Sequence, residues 1–189
     1  MNRFPFPDRI QSREELKRDV LYRKIPEADR ISICDMAWKR GARISEEVME
    51  KYPGKDIRGI LGREGLTVTM VCRDEVRGKI RTFGEFYPTK KEIVLYMGSI
   101  AKWAEANHLD ETPAVDLILA HEFFHYLECT KIGETSRLYF VPVMQIGKFT
   151  LGKSGIRALS EIAAHGFTRT YFEACGSFEA MTWEREERK

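Results

Sequence analysis

The sequence has no long apolar run, no paired-cysteine motif and almost no net charge, and each absence narrows its function. No stretch reaches the roughly 18 consecutive apolar residues that span a bilayer. The opening residues, MNRFPFPDRIQSREELKRD, lack the roughly 7–15-residue apolar core of a secretory leader. The expectation is a cytoplasmic chain with no membrane partner. Cys34, Cys72, Cys129 and Cys175 stand far apart with no C-x-x-C, which excludes a zinc ribbon and a thioredoxin-like motif. In a reducing compartment all four are expected as thiols. The 31 basic and 29 acidic side chains leave a formal charge of +2, so no global field gathers nucleic acid or anionic lipid. No internal repeat is visible, and nothing in the sequence encodes an oligomeric state.

What is present suits one globular domain. Hydrophobic residues make up 43% of the 189, enough to build a core and too many for a disordered chain. A single α+β domain over 1–189 is expected, with an N-terminal helical segment over about 1–52, a core over about 53–175 and a charged tail over 176–189. Residues 12–24 read as a short amphipathic helix opened by Ser12 with Glu15 three residues on, a capping box. Pro26 starts a second helix running to about Tyr52 and interrupted at Gly41, with Ile31, Cys34, Ala37, Trp38, Ile44 and Val48 on its apolar face. LTVTMVC (66–72), KIRTFGEF (79–86) and EIVLY (92–96) change to strand character and predict a small, mostly antiparallel three-stranded sheet. Helices return over 97–109, after Thr112-Pro113, and from about Ser154 to Cys175.

The helix after Pro113 carries the chemistry. LILAHEFFHYL (117–127) is apolar on every side except at His121, Glu122 and His125, and a helix apolar all round is a buried one. Burying three ionisable groups without partners costs several kcal/mol. Hydrogen-bonded core histidines and a paired glutamate would compensate them, and so would a metal ion. His121 and His125, four residues apart, lie about 40° apart around a helix, so both imidazoles can reach one cation; Glu122, about 100° from His121, sits beside it. This is the H-E-x-x-H pattern of zinc-dependent hydrolases. A catalytic zinc takes three protein ligands and leaves one position open. The metzincin continuation is absent, because no histidine follows His125 before His165. SEIAAHGFTR offers Glu161 as third ligand, with the small Ala164 one turn on to let its helix come close.

At these residues the sequence resembles the gluzincins, and more narrowly the small ImmA/IrrE-like metallopeptidases, whose second zinc helix carries E-x-x-A-x-x-F. Here that string is Glu161, Ala164 and Phe167, and the order of elements is similar over roughly 27–175. The resemblance implies a zincin-like (minigluzincin) fold, a Zn2+ cofactor, a protein or peptide substrate, and regulatory cleavage rather than general digestion. One departure is His165, where such families carry a carboxylate or asparagine four residues after the ligand glutamate. It is open whether His165 orients a ligand, replaces one or donates to the transition state. The chemistry expected is hydrolysis in which zinc lowers the pKa of water to about 7 and Glu122 accepts its proton. His165, Tyr171 and Tyr126 are candidate oxyanion donors, the tyrosines having a core role as their alternative. EIVLY is either the sheet edge that takes an extended peptide or an interior strand. Residues 137–149 either cover the cleft or join the core.

Two further readings compete. Residues 147–154, GKFTLGKS, match the phosphate-loop pattern from Gly147 to Ser154, which would set Lys153 on phosphates and Ser154 on magnesium. Pro142 in the preceding segment, the short stretch that follows and the lack of a Walker B carboxylate argue against it. In the alternative, the glycines make turns and Ser154 caps the last helix. The other competitor is a non-catalytic zinc protein that binds a peptide or regulator; Glu122 speaks against it, because a purely structural site has no use for a base. His108 reads as an exposed residue at a helix end.

Overall fold

The computed structural model describes residues 4–78, 80–146 and 149–176. It is an α+β fold of six α-helices and three small sheets. The charged tail from 177, and with it WEREERK, lies outside the described residues, as does Lys79 of KIRTFGEF.

α1 spans Arg13–Arg18 and is shorter than the reading over 12–24; a 3-10 turn, Tyr22–Lys24, follows it. Ser12 does not cap α1. Its own backbone is already right-handed helical, and its buried hydroxyl is 3.3 Å from His165 Nδ1. α2 runs Glu27–Lys51 after Pro26 and buries Ile33, Cys34, Ala37, Gly41, Ile44, Ser45 and Val48. Ile31 is not on that face; it is 58% exposed, and Ile33 takes its place. Gly41 does not interrupt the helix. It is where α2 meets α6 (Ala158–Ala174): a Cβ at Gly41 would stand 1.9 Å from the Ala163 carbonyl oxygen, and one at Gly166 would stand 2.6 Å from that of Trp38. The backbones of α2 and α6 thus meet directly at these two glycines.

A third helix, α3 (Ile57–Glu64), falls where no element was expected. Asp56 caps it by accepting from the Gly59 N–H at 2.7 Å, and Gly65 ends it in the left-handed conformation at φ 71°. The main sheet has the order β1 (Thr67–Val71), β5 (Glu92–Tyr96), β4 (Gly84–Tyr87). β4 and β5 are antiparallel, but β1 and β5 are parallel, so the sheet is mixed rather than mostly antiparallel. EIVLY is β5 and therefore the central strand; β4 is an edge. A separate antiparallel pair, β2 (Glu75–Arg77) and β3 (Ile80–Thr82), lies between β1 and β4 in sequence.

α4 (Met97–Ala106) leads to α5 (Glu111–Leu127), which begins after Asp110, two residues before the expected cap at Thr112. His108 between them is exposed, with φ 56°. α5 packs against β4 and β5 on one side and α6 on another, with α3 and α4 closing the rest. This explains its apolar character all round: Leu117, Ala120, Phe123 and Phe124 are fully enclosed. The chain leaves α5 through a π-turn, Glu128–Ile132, and a 3-10 turn, Thr135–Leu138. It then forms the hairpin β6 (Phe140–Ile146) and β7 (Phe149–Gly155). Of residues 137–144 in this stretch only Val141 is fully buried; Phe140, Val143 and Met144 are exposed. All four cysteines are thiols, Cys34 buried and the others exposed. Among the described residues no helix is long and apolar enough to cross a membrane.

Candidate functional site

α5 and α6 bring three donors to one point. His121 Nε2 and His125 Nε2 are 3.3 Å apart. Glu161 offers Oε2 to His121 at 3.2 Å and Oε1 to His125 at 3.6 Å. Ligand atoms about 2.0–2.1 Å from one tetrahedral ion stand about 3.3 Å from each other, so these separations of 3.2, 3.3 and 3.6 Å suit a single small cation. Among the described residues this is the one His/Cys/Asp/Glu group whose donors converge in this way, all within 4.8 Å. Glu161 is 48% exposed at its side chain, so the group opens toward solvent on the α6 side.

The electrostatics point the same way. Burial works against a charged His125, yet Glu128 and Glu161 hold its imidazolium well above the ordinary histidine range. Burial also pushes the Glu161 carboxyl up, and the two imidazoles more than reverse this, holding it well below the usual carboxylate range. Imidazole and carboxylate thus stabilise each other's charged forms across this position.

Glu122 stands apart from the donor set and is 7% exposed. Burial raises its carboxyl pKa, Glu161 and Glu85 add to the rise, and the two imidazoles oppose it. It lies under the edge strand because residue 84 is glycine: a Cβ there would meet Glu122 Cγ at 2.9 Å and Ile118 Cγ2 at 3.0 Å.

His165 is close but does not join the converging donors. Its ring centroid is 5.4 Å from that of His121, and its Nδ1 is paired with Ser12. Burial, and then the neighbouring His121, drives its pKa down to about 3, so it is neutral at neutral pH. Phe6 packs on both imidazoles, 5.8 Å from His121 and 5.7 Å from His165 between ring centroids, and on Trp103 at 5.6 Å. The N-terminal segment thus forms one wall of the site.

Two expected donors are elsewhere. Tyr171 donates to the Lys55 carbonyl at 3.1 Å and stacks on Phe167; Tyr126 donates to Glu64 Oε2 at 3.0 Å and abuts Phe86. Both hydroxyls are turned to the α3 side of the molecule, so the core reading of these tyrosines holds. The phosphate-loop reading finds no cradle at its second half. Lys153 and Ser154 lie within β7, opposite Pro142 and Val141, and α6 starts only at Ala158 after Arg157, so Ser154 is not its cap. Gly147 and Lys148 lie outside the described residues.

Three residues escaped the sequence reading. Gly84 carried a signal, since an isolated glycine in a strand marks close backbone approach. Phe6 carried none, lying in a segment without periodicity. Glu128, whose Oε2 is 3.1 Å from His125 Nδ1, resembles any polar residue at a helix end. Compared with protein-family models, curated proteins and solved structures, the chain has no match.

Proposed function

We propose that this chain is a zinc-dependent peptidase of the zincin type, with His121, His125 and Glu161 as metal ligands and Glu122 as general base. The observation that carries the reading is the separation of roles within one small volume. Three donors converge with spacings of 3.2–3.6 Å, while the adjacent carboxylate is buried and stays outside the set. A structural site closes on four ligands; three with an exposed side suit a catalytic one.

A zinc ion held there supplies Lewis acidity toward a peptide carbonyl and a water molecule. The protein's own groups do the rest. Glu122 accepts a proton at its carboxylate, and burial makes that carboxylate a stronger base than a solvated one. It then returns the proton to the departing amine. Among the described residues β4 has β5 on one side and no strand on the other, so that backbone edge suits an extended peptide added as a further strand. Gly84 brings that edge against Glu122, which would hold the scissile bond of such a peptide beside the base. A specific protein substrate fits this narrow arrangement better than general digestion does.

The test is metal content together with hydrolysis of a mixed peptide library. The wild type is expected to hold one zinc per chain and to cleave. Glu122→Gln is expected to keep its zinc and lose about 10²–10⁴-fold in turnover, the range supplied by a positioned base. Unchanged turnover in that variant overturns the base assignment. Zinc that is bound without any hydrolysis favours the non-catalytic reading, and a wild type without zinc overturns the site.

A further inference from the structure

Glu128 is a carboxylate at 4% exposure, on the π-turn that ends α5. Burying such a group costs several kcal/mol unless its oxygens are met by donors. Here they are met from two directions. Oε2 faces His125 Nδ1 at 3.1 Å. Oε1 accepts from the Thr135 N–H at 2.7 Å and from the Ser160 hydroxyl at 3.1 Å. Ser160 Oγ in turn accepts from the Ser136 N–H at 3.2 Å.

Ser160 directly precedes Glu161. One carboxylate therefore grips a ligand on α5 with one oxygen and, with the other, the first turn of the helix that carries the third ligand. The hydrogen bond also has a chemical consequence. A proton on His125 Nδ1 directed at a carboxylate leaves Nε2 with its lone pair, and Nε2 is the atom that faces His121 and Glu161. Among the described residues His121 has no such help: its buried Nδ1 meets no hydrogen-bond partner there.

We propose that Glu128 is the positioning residue of the candidate metal centre, fixing the His125 tautomer and locking the Glu161 turn of α6 to α5. This rests on the zinc reading above, because the position it organises is the donor set of that reading. The role is more than packing, and Glu128→Gln separates the two. Glutamine keeps the shape, but its NH2 must face either His125 or the Thr135 and Ser160 donors, so one side is left donor against donor.

The experiment is zinc affinity by chelator competition on wild type, Glu128→Gln and Ser160→Ala, with the melting temperature of each metal-free protein measured alongside. Cobalt substitution and its visible spectrum give a second view of the ligand geometry. Glu128→Gln is expected to bind zinc about 10–100-fold more weakly, the usual loss when a ligand's hydrogen-bond partner is removed, and to change the cobalt spectrum. Ser160→Ala, which spares the His125 contact, is expected to lose less. Glu128→Gln with wild-type zinc affinity and an unchanged cobalt spectrum overturns the proposal, whatever happens to its melting temperature. A wild type that binds neither ion overturns instead the zinc reading, and this role with it.

Discussion

Gly84 on β4 lies so close to Glu122 on α5 that a methyl group in place of its hydrogen would stand 2.9 Å from Glu122 Cγ and 3.2 Å from Oε1. Strand and helix are in contact at the point where the proposed reaction occurs, and the missing side chain makes that contact possible. Gly84→Ala is expected to cost about 1–3 kcal/mol, as overpacking of a filled interior does. The neighbour with most freedom to yield is Glu122 itself, so hydrolysis should suffer at least 10-fold while bound zinc is retained. Thermal unfolding, zinc content and turnover of this variant check it together. Full activity with a normal melting temperature would show that β4 does not constrain Glu122.

The second glycine contact is tighter and has a different outcome. A Cβ at Gly41 would stand 1.9 Å from the Ala163 carbonyl oxygen and 2.9 Å from the Phe167 nitrogen, and backbone cannot move aside as a side chain can. Gly41→Ala must separate α2 from α6, opening a seam that includes the enclosed Ala37 and Ala163. The expected loss is about 3 kcal/mol or more, at the high end for a single added methyl group. Because α6 carries Glu161, weaker zinc binding should accompany it. Urea unfolding and chelator competition measure both; a variant with wild-type stability would mean that the two helices have room to spare.

How far the sequence discloses this molecule depends on whether a feature is local. His121, Glu122 and His125 stand out because three polar residues interrupt one apolar helix, whereas Glu161 is reached partly through the resemblance of its E-x-x-A-x-x-F string to a zinc-ligand helix. The strand β5 is legible for the same reason, as a short β-rich segment after a turn, whereas KIRTFGEF, expected as one strand, divides between β3 of the separate pair and β4 of the main sheet. The parallel pairing of β1 with β5 joins residues about 25 apart and has no local mark. α6 begins later than its first serine suggests, because residues up to Gly155 pair with β6, and pairing between strands outweighs a capping preference. Glu128 needed Thr135 and Ser160 to become visible, and Phe6 needed the two imidazoles it covers. In each case the decisive contact is made by a residue distant in sequence.

Glu64 on α3 yields a prediction about acid stability away from the site. Its side chain is 9% exposed. Burial pushes its carboxyl up, but Lys131, Tyr52, Lys51 and Tyr126 all donate to it and bring it down to about 2 from an ordinary 4.5. The folded chain thus holds this proton less tightly than the unfolded chain, and protonation favours unfolding. The contribution is complete above about pH 4.5, declines as pH falls, and is gone below about 2. A shift of that size corresponds to about 3 kcal/mol, and solvent at the partly exposed Lys51 and Lys131 reduces it to about 2. Glu64→Gln keeps partners for the tyrosine hydroxyls and removes the charge. It is expected to be about 2 kcal/mol less stable than wild type at pH 7 and nearly equal to it at pH 2.5. Denaturant unfolding of both proteins across that range measures the gap, and two curves that run parallel from pH 7 to 2.5 would show that Glu64 is not held ionised by its neighbours.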